Sequence, residues 1–112
     1  MISIDDFKKC EIKVGEIKSV ELIEGSDKLL KLSVDFGEEA SRTVVSGIRR
    51  YFEDPQSLVG VKCAFATNLE PRPLMGIESQ AMILAATTDV PPAGGFSLLR
   101  ADPSLPPGAQ VR

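Results

Sequence analysis

A glycine set inside a long strand pattern limits how this chain can fold. From Glu11 to Ile23 the residues Ile12, Val14, Ile17, Val20 and Leu22 read as one strand, but the apolar phase slips between Val14 and Ile17, beside Gly15. Strand side chains alternate between two faces, so a slip in phase marks a bulge or a sharp bend, and glycine is the residue that tolerates either. The first strand is therefore predicted to curl.

The pattern downstream supplies its partners. After a turn at Glu24-Gly25-Ser26-Asp27, Leu30, Leu32, Val34 and Phe36 alternate with Lys31, Ser33 and Asp35, a half-buried strand. Gly37-Glu38-Glu39 turns the chain into a third strand from Ser41 to Ser46. Asp54 followed by Pro55 reads as a helix cap with proline at the first helical position, and Gly60 is placed to stop that short helix. Val61 to Leu69 and Ala81 to Ala86 make five strands, and Ser3 with Asp6 caps a short lead-in helix. The tail carries Pro91-Pro92, Gly94-Gly95 and Pro106-Pro107-Gly108 around Phe96, Leu98 and Leu99, a short hairpin pinned to the barrel or to a partner. Three strands, a short helix and two strands, with the first strand bent by glycine, is the order of a five-stranded Greek-key barrel of the OB type. The periodicity alone also permits an SH3-like barrel; the helix before the fourth strand favours OB. The expected fold is all-β, in one domain over 1–112, with a C-terminal extension.

Composition excludes most chemistry. The chain has no His, so it lacks a side chain that titrates near neutrality at its unperturbed pKa, a histidine-activated nucleophile and a Cys/His zinc set. It has no P-loop, dinucleotide fingerprint or serine elbow, and its paired carboxylates sit in turns and helix starts. No catalytic residue, metal or cofactor is expected. Cys10 and Cys63 read as buried, reduced thiols, and no apolar run approaches a membrane span or a signal peptide, which points to the cytoplasm and no membrane partner. A net charge of −3 weighs against bulk attraction of nucleic acid, yet leaves open how the 13 Lys and Arg are placed.

The segment from Asn68 to Gln80 is a loop long enough to ask for a function. Pro71 and Pro73 bracket Arg72 and hold it extended, which lowers the entropy lost when the arginine meets an anion. Gly76 permits a positive φ or a close approach, Ser79 and Gln80 offer donors, and Met75 and Met82 offer soft apolar surface for a base or sugar. A rigid connector with a solvated arginine is the competing reading. Lys28 and Lys31 lie at the first turn and on the second strand, where OB folds present ligands; Arg49-Arg50-Tyr51-Phe52 sets two cations beside two aromatics, with Phe52 assigned to the core. For both stretches an ordinary solvated or packed surface competes.

Val44-Val45-Ser46-Gly47-Ile48 with Arg49-Arg50-Tyr51, Leu58-Val59-Gly60, Asn68-Leu69-Glu70-Pro71-Arg72 and Gly76-Ile77-Glu78-Ser79-Gln80-Ala81-Met82 together resemble the tRNA-binding domain family. That family includes the C-terminal domain of methionyl-tRNA synthetase and a free-standing bacterial relative. The likeness runs from Ser3 to Val111. It implies an OB-fold homodimer that docks on the outer corner of tRNA by shape, with Asn68, Arg72, Ser79 and Met82 in the binding motif and Lys28 and Lys31 nearby. It also implies a synthetase catalytic domain as a possible partner, a dimer built partly from the two terminal segments that would cover Phe96, Leu98 and Leu99, and no aminoacylation by this chain alone. Pro73 stands where the family usually has lysine, Ala81 where it has glycine, and Glu24-Gly25 where it has His-Pro, changes expected to limit affinity. A branch of the same fold family serves as a peptide-binding secretion chaperone; it differs at the segment held here by Val45-Ser46-Gly47-Ile48, which makes it the alternative. A general single-strand binder would need more stacking aromatics than five Phe and one Tyr.

Overall fold

The computed structural model describes residues 1–88 and 95–112, so Pro91-Pro92 and Gly94 of the expected tail hairpin lie outside the described residues. Strand β1 (Ile12–Leu22) changes partners along its length. Its first half pairs antiparallel with β4 (Lys62–Ala66), and from Glu16 onward it pairs with β2 (Leu30–Asp35); Glu16 faces both Lys62 and Asp35. The register shift lies between Ile17 and Ser19, so the bulge is at Lys18 and not at Gly15 itself. Gly15 serves the bend differently. A Cβ there would stand 2.6 Å from both Phe36 and Val34 and 2.9 Å from Phe65, because the Phe36 and Phe65 rings meet edge to face beneath it at 5.1 Å.

β3 (Arg42–Ser46) pairs with β2, and β7 (Met82–Ile83) with β4, giving one sheet in the order β3-β2-β1-β4-β7. The sheet rolls around Ile17, Leu30, Leu32, Val34, Val44 and Phe65, all essentially inaccessible to solvent, into a nearly closed all-β barrel of the OB type. The short helix expected between β3 and β4 is two 3₁₀ turns, Arg49–Tyr51 and Pro55–Leu58. Asp54 caps the second by accepting from the Gln56 N–H, and its Leu58 is fully buried in the core. The lead-in helix α1 (Ile4–Phe7) is a single turn capped by Ser3, and it buries none of its side chains.

The fifth strand expected over Ala81 to Ala86 breaks at Leu84. β7 ends at Ile83, and β8 (Ala85–Thr87) pairs with β9 (Phe96–Leu98). The break follows from a competition for the edge of β4: Leu84 still donates to Ala64 O, but beyond it that edge is taken by the chain after β9, where the Ala64 N–H donates to Leu99 and the Ala101 N–H to Lys62. Leu98 enters the core and Phe96 stacks on Tyr51 at 4.0 Å, so both are covered within the chain; Leu99 stays exposed. The tail then returns to β1, with Gly108 donating to Val14 and Val111 to Ile12. Gly108 has φ +92° and lies against the Phe36 carbonyl, where a Cβ would come within 2.4 Å of the oxygen.

No helix among the described residues is long and apolar enough to cross a membrane. Of the two thiols expected to be buried only Cys63 is, and burial pushes it up to about 12; Cys10 is exposed, because it follows a lead-in helix that buries none of its residues. A disulfide reagent such as dithionitrobenzoate should therefore titrate Cys10 alone in the native chain and both thiols only in denaturant. Equal labelling rates in native buffer would contradict the burial of Cys63.

Candidate nucleic-acid interface

The loop from Asn68 to Gln80 contains a two-stranded hairpin that the sequence pattern does not announce. β5 (Arg72–Leu74) pairs with β6 (Ile77–Ser79) across a two-residue turn in which Met75 has φ 49° and Gly76 φ 78°. Positive φ at both central residues is the tight turn that suits a right-twisted hairpin, a role usually filled by Asn-Gly or Asp-Gly. The hairpin tip reaches back to the β1–β2 turn: the Met75 Cε lies 3.7 Å from where a Cβ on Gly25 would stand. Between hairpin and barrel runs an open cleft of about 340 Å³. Leu29, Val45 and Gly47 form one wall, Arg72 and Leu74 the other, and Met82 lies at the end of β7. This is the face of the second and third strands, framed by the β1–β2 and β4–β7 connections.

The predicted site residues divide by what their polar groups already do. Arg72 and Lys28 are exposed, and among the described residues neither side chain has a hydrogen bond or ion pair. Met82 is 47% exposed. Lys31, opposite Val45 in the ladder, stands 3.7 Å from Glu21, a loose and solvated pair. Arg49 is turned inward, its Nη1 donating to the Ser26 carbonyl and its N–H to Lys28 O, which fixes the β1–β2 turn. Arg50 lies over Tyr51 at 5.1 Å, and Phe52 packs edge to face on Phe96.

Asn68, Ser79 and Gln80 anchor the hairpin. Asn68 accepts from the Glu11 N–H at 2.8 Å and donates to Lys9 O at 2.7 Å. Ser79, 5% exposed, accepts from the Val45 N–H and donates to Ala81 O, both at 3.0 Å. Gln80 closes a ring with Thr43: its N–H donates to Thr43 O, and its Oε1 accepts from the Thr43 N–H, both at 2.8 Å. The outward N–H groups of β3, an edge strand, are thus met by side-chain oxygens of the hairpin's exit, which blunts the edge and closes the barrel. Ser79→Ala would leave the Val45 N–H and the Ala81 carbonyl without their hydroxyl partner, and we expect a loss of about 2 kcal/mol in urea unfolding. An unchanged midpoint would show that Ser79 does not anchor the hairpin.

One organising residue escaped the sequence reading. Arg42, at the start of β3, donates to Thr67 O at 2.6 Å and Gln80 O at 3.3 Å, the residues that flank the segment 68–79. Its partners are 25 and 38 positions away, and no local pattern reports them.

A small antiparallel barrel with a cleft on this face, exposed cations beside it and a braced hairpin over it defines a ligand-binding module of the OB class. The family model described as "Putative tRNA binding domain" matches residues 12–110, and the chain belongs to the tRNA-binding domain family. The methionine–tRNA ligase of Deinococcus radiodurans is 50% identical over 112 residues, covering 100% of this chain and 16% of that protein. The chain thus spans about a sixth of the length of such relatives. The crystal structure of a MetRS-related protein from Pyrococcus horikoshii superposes with a TM-score of 0.90 at 39% identity, covering 100% of this chain and 98% of that one. The chaperone CsaA from Bacillus anthracis superposes with a TM-score of 0.82 at 25% identity, covering 100% and 99%.

Proposed function

We propose that this tRNA-binding domain docks on the outer corner of folded tRNA through the cleft between the β5–β6 hairpin and the β2–β3 face, as a non-catalytic module of the cytoplasm. The observation that carries the reading is the pairing of a committed frame with uncommitted cations: Asn68, Ser79 and Gln80 hold the hairpin, while Arg72 and Lys28 have no partner among the described residues. Arg72 and Lys28 meet phosphates, Lys31 joins them by leaving Glu21, and Met82 with Leu74 offers apolar surface to a sugar or base. Few cations and few exposed aromatics favour recognition of backbone shape over sequence. The module delivers tRNA to a methionyl-tRNA synthetase catalytic domain, covalently attached or in trans, and has no aminoacylation activity of its own.

It does so as a homodimer. Ile4 and Phe7 are 64% and 41% exposed on a helix that buries nothing, and with Val111 they line a second groove. Phe7→Asp is expected to yield monomers in sedimentation; a wild-type monomer at tens of micromolar would remove the dimer from the proposal.

Titration of whole tRNA against a linear RNA of equal length tests the main reading. Preference for tRNA is expected, with log affinity falling against log salt at a slope near −3 to −4 if about four phosphates are met. Equal affinity for both RNAs would sink shape recognition. The likeness to the CsaA structure carries the second reading, a peptide-binding chaperone; suppression of client aggregation without tRNA binding would establish it instead.

A further inference from the structure

Arg42 sits at the base of the hairpin with its side chain 23% exposed, and four of the five N–H bonds a guanidinium offers are taken. Two Nη1 hydrogens serve Thr67 O and Gln80 O, the carbonyls on either side of the segment 68–79. Nε and Nη2 form a fork on the Glu38 carboxylate at 2.9 and 2.7 Å, and the Phe36 ring lies under the guanidinium at 5.4 Å. One rigid, charged group therefore joins the β2–β3 turn to both ends of the hairpin. The same fork holds the Glu38 carboxyl below its ordinary value, so the anchor stays ionised at neutral pH.

We propose that Arg42 is the positioning residue of the RNA-binding hairpin: without touching RNA, it sets the spacing of the hairpin's two ends and so the place where Arg72 stands over the cleft. A phosphate could take only the one remaining Nη2 hydrogen, beside the Glu38 carboxylate that repels it, or displace Glu38, a trade of one anion for another. Lysine cannot replace it, because an ammonium is a point donor that cannot span two carbonyls and grip a carboxylate in a fork. The proposal rests on the reading of this hairpin as the RNA contact, and its two tests separate the one claim from the other.

The first test needs no RNA. In the free full chain, Arg42→Gln and Arg42→Lys should each speed amide exchange at Thr43, Val45 and Gln80 by about tenfold or more, while the amides of the β1–β2 ladder keep their rates. Unchanged rates at those three positions, or equal acceleration across the barrel, would overturn the positioning role. Should both variants fail to fold, Glu38→Gln, which weakens the anchor alone, must give the same local pattern at smaller amplitude, and wild-type rates there would count against us. The second test is a cycle on tRNA affinity. Arg42→Gln and Arg72→Ala should each weaken binding about five- to tenfold, and the double variant should lie within about twofold of Arg72→Ala alone, since Arg42 acts through Arg72. Additive losses would show that Arg42 meets RNA itself or acts by general stability. If the wild-type chain does not bind tRNA, the function falls and the exchange result alone decides whether Arg42 sets the hairpin.

Discussion

Gly15→Val is expected to lower the stability of the domain by about 4 kcal/mol, or about 15 °C in thermal midpoint, with Gly15→Ala losing about half as much. The cause is steric. Gly15 is absent from the positive-φ positions, so an L side chain meets no conformational penalty there. What it meets is Phe36, Val34 and Phe65, which are 3%, 0% and 0% exposed and have nowhere to retreat in a close-packed barrel. Gly60 is the control, since it has φ +88° with nothing within 4 Å of its would-be Cβ, and its change to Ala should cost only about 1 kcal/mol of backbone strain. Gly15→Ala combined with Phe36→Leu should recover part of the loss by making room. A neutral Gly15→Ala would mean that the bend of β1 does not depend on the contact of its glycine with the ring pair.

Arg72→Glu should carry the largest functional effect, reducing tRNA affinity by about tenfold or more and making the salt slope shallower by about 0.9, the share of one phosphate contact. Arg72 is exposed and unpaired among the described residues, and it stands on β5 between two prolines, so its reversal costs the fold little. Its free energy of unfolding in urea should stay within about 0.5 kcal/mol of wild type. The pairing of a large binding loss with an intact fold is what separates Arg72 from Ser79, for which stability and binding should fall together. An affinity for tRNA unchanged by Arg72→Glu would move the interface away from the cleft. Because Pro73 pairs with Glu78 across the hairpin, the neighbouring position presents no second cation to compensate.

How much of this was legible in the chain depends on the range of the physics involved. Alternation of period two located β2, which buries every second residue against the core, and β4, whose residues Cys63–Ala66 are nevertheless buried on both faces, whereas β3, with Val44 and Val45 both buried, was marked by the turn before it. Asp54-Pro55 marked the cap of the second 3₁₀ turn, because capping is a matter of two or three residues. The phase slip at Gly15 announced the curl of β1 but not its mechanics, which place the bulge at Lys18 and the ring contact at the glycine. The hairpin inside the long loop was not legible, because its turn is Met75-Gly76 and Met seldom adopts a positive φ. Nor was the break at Leu84, which is set by a tail segment competing for the edge of β4.

The number of barrel strands, the bend in the first, and the long loop around Arg72 proposed as the binding site all follow from side-chain periodicity and turn chemistry within a few residues. Only the tertiary structure decided which polar residues of that stretch remain available. Asn68, Ser79 and Gln80 resemble ligand donors until β3 is seen as an edge strand and residues 9–11 as a neighbour; their oxygens and amides then answer backbone groups left open by the sheet. A backbone group at an edge is satisfied by whatever folds against it, and that is settled by closure of the barrel.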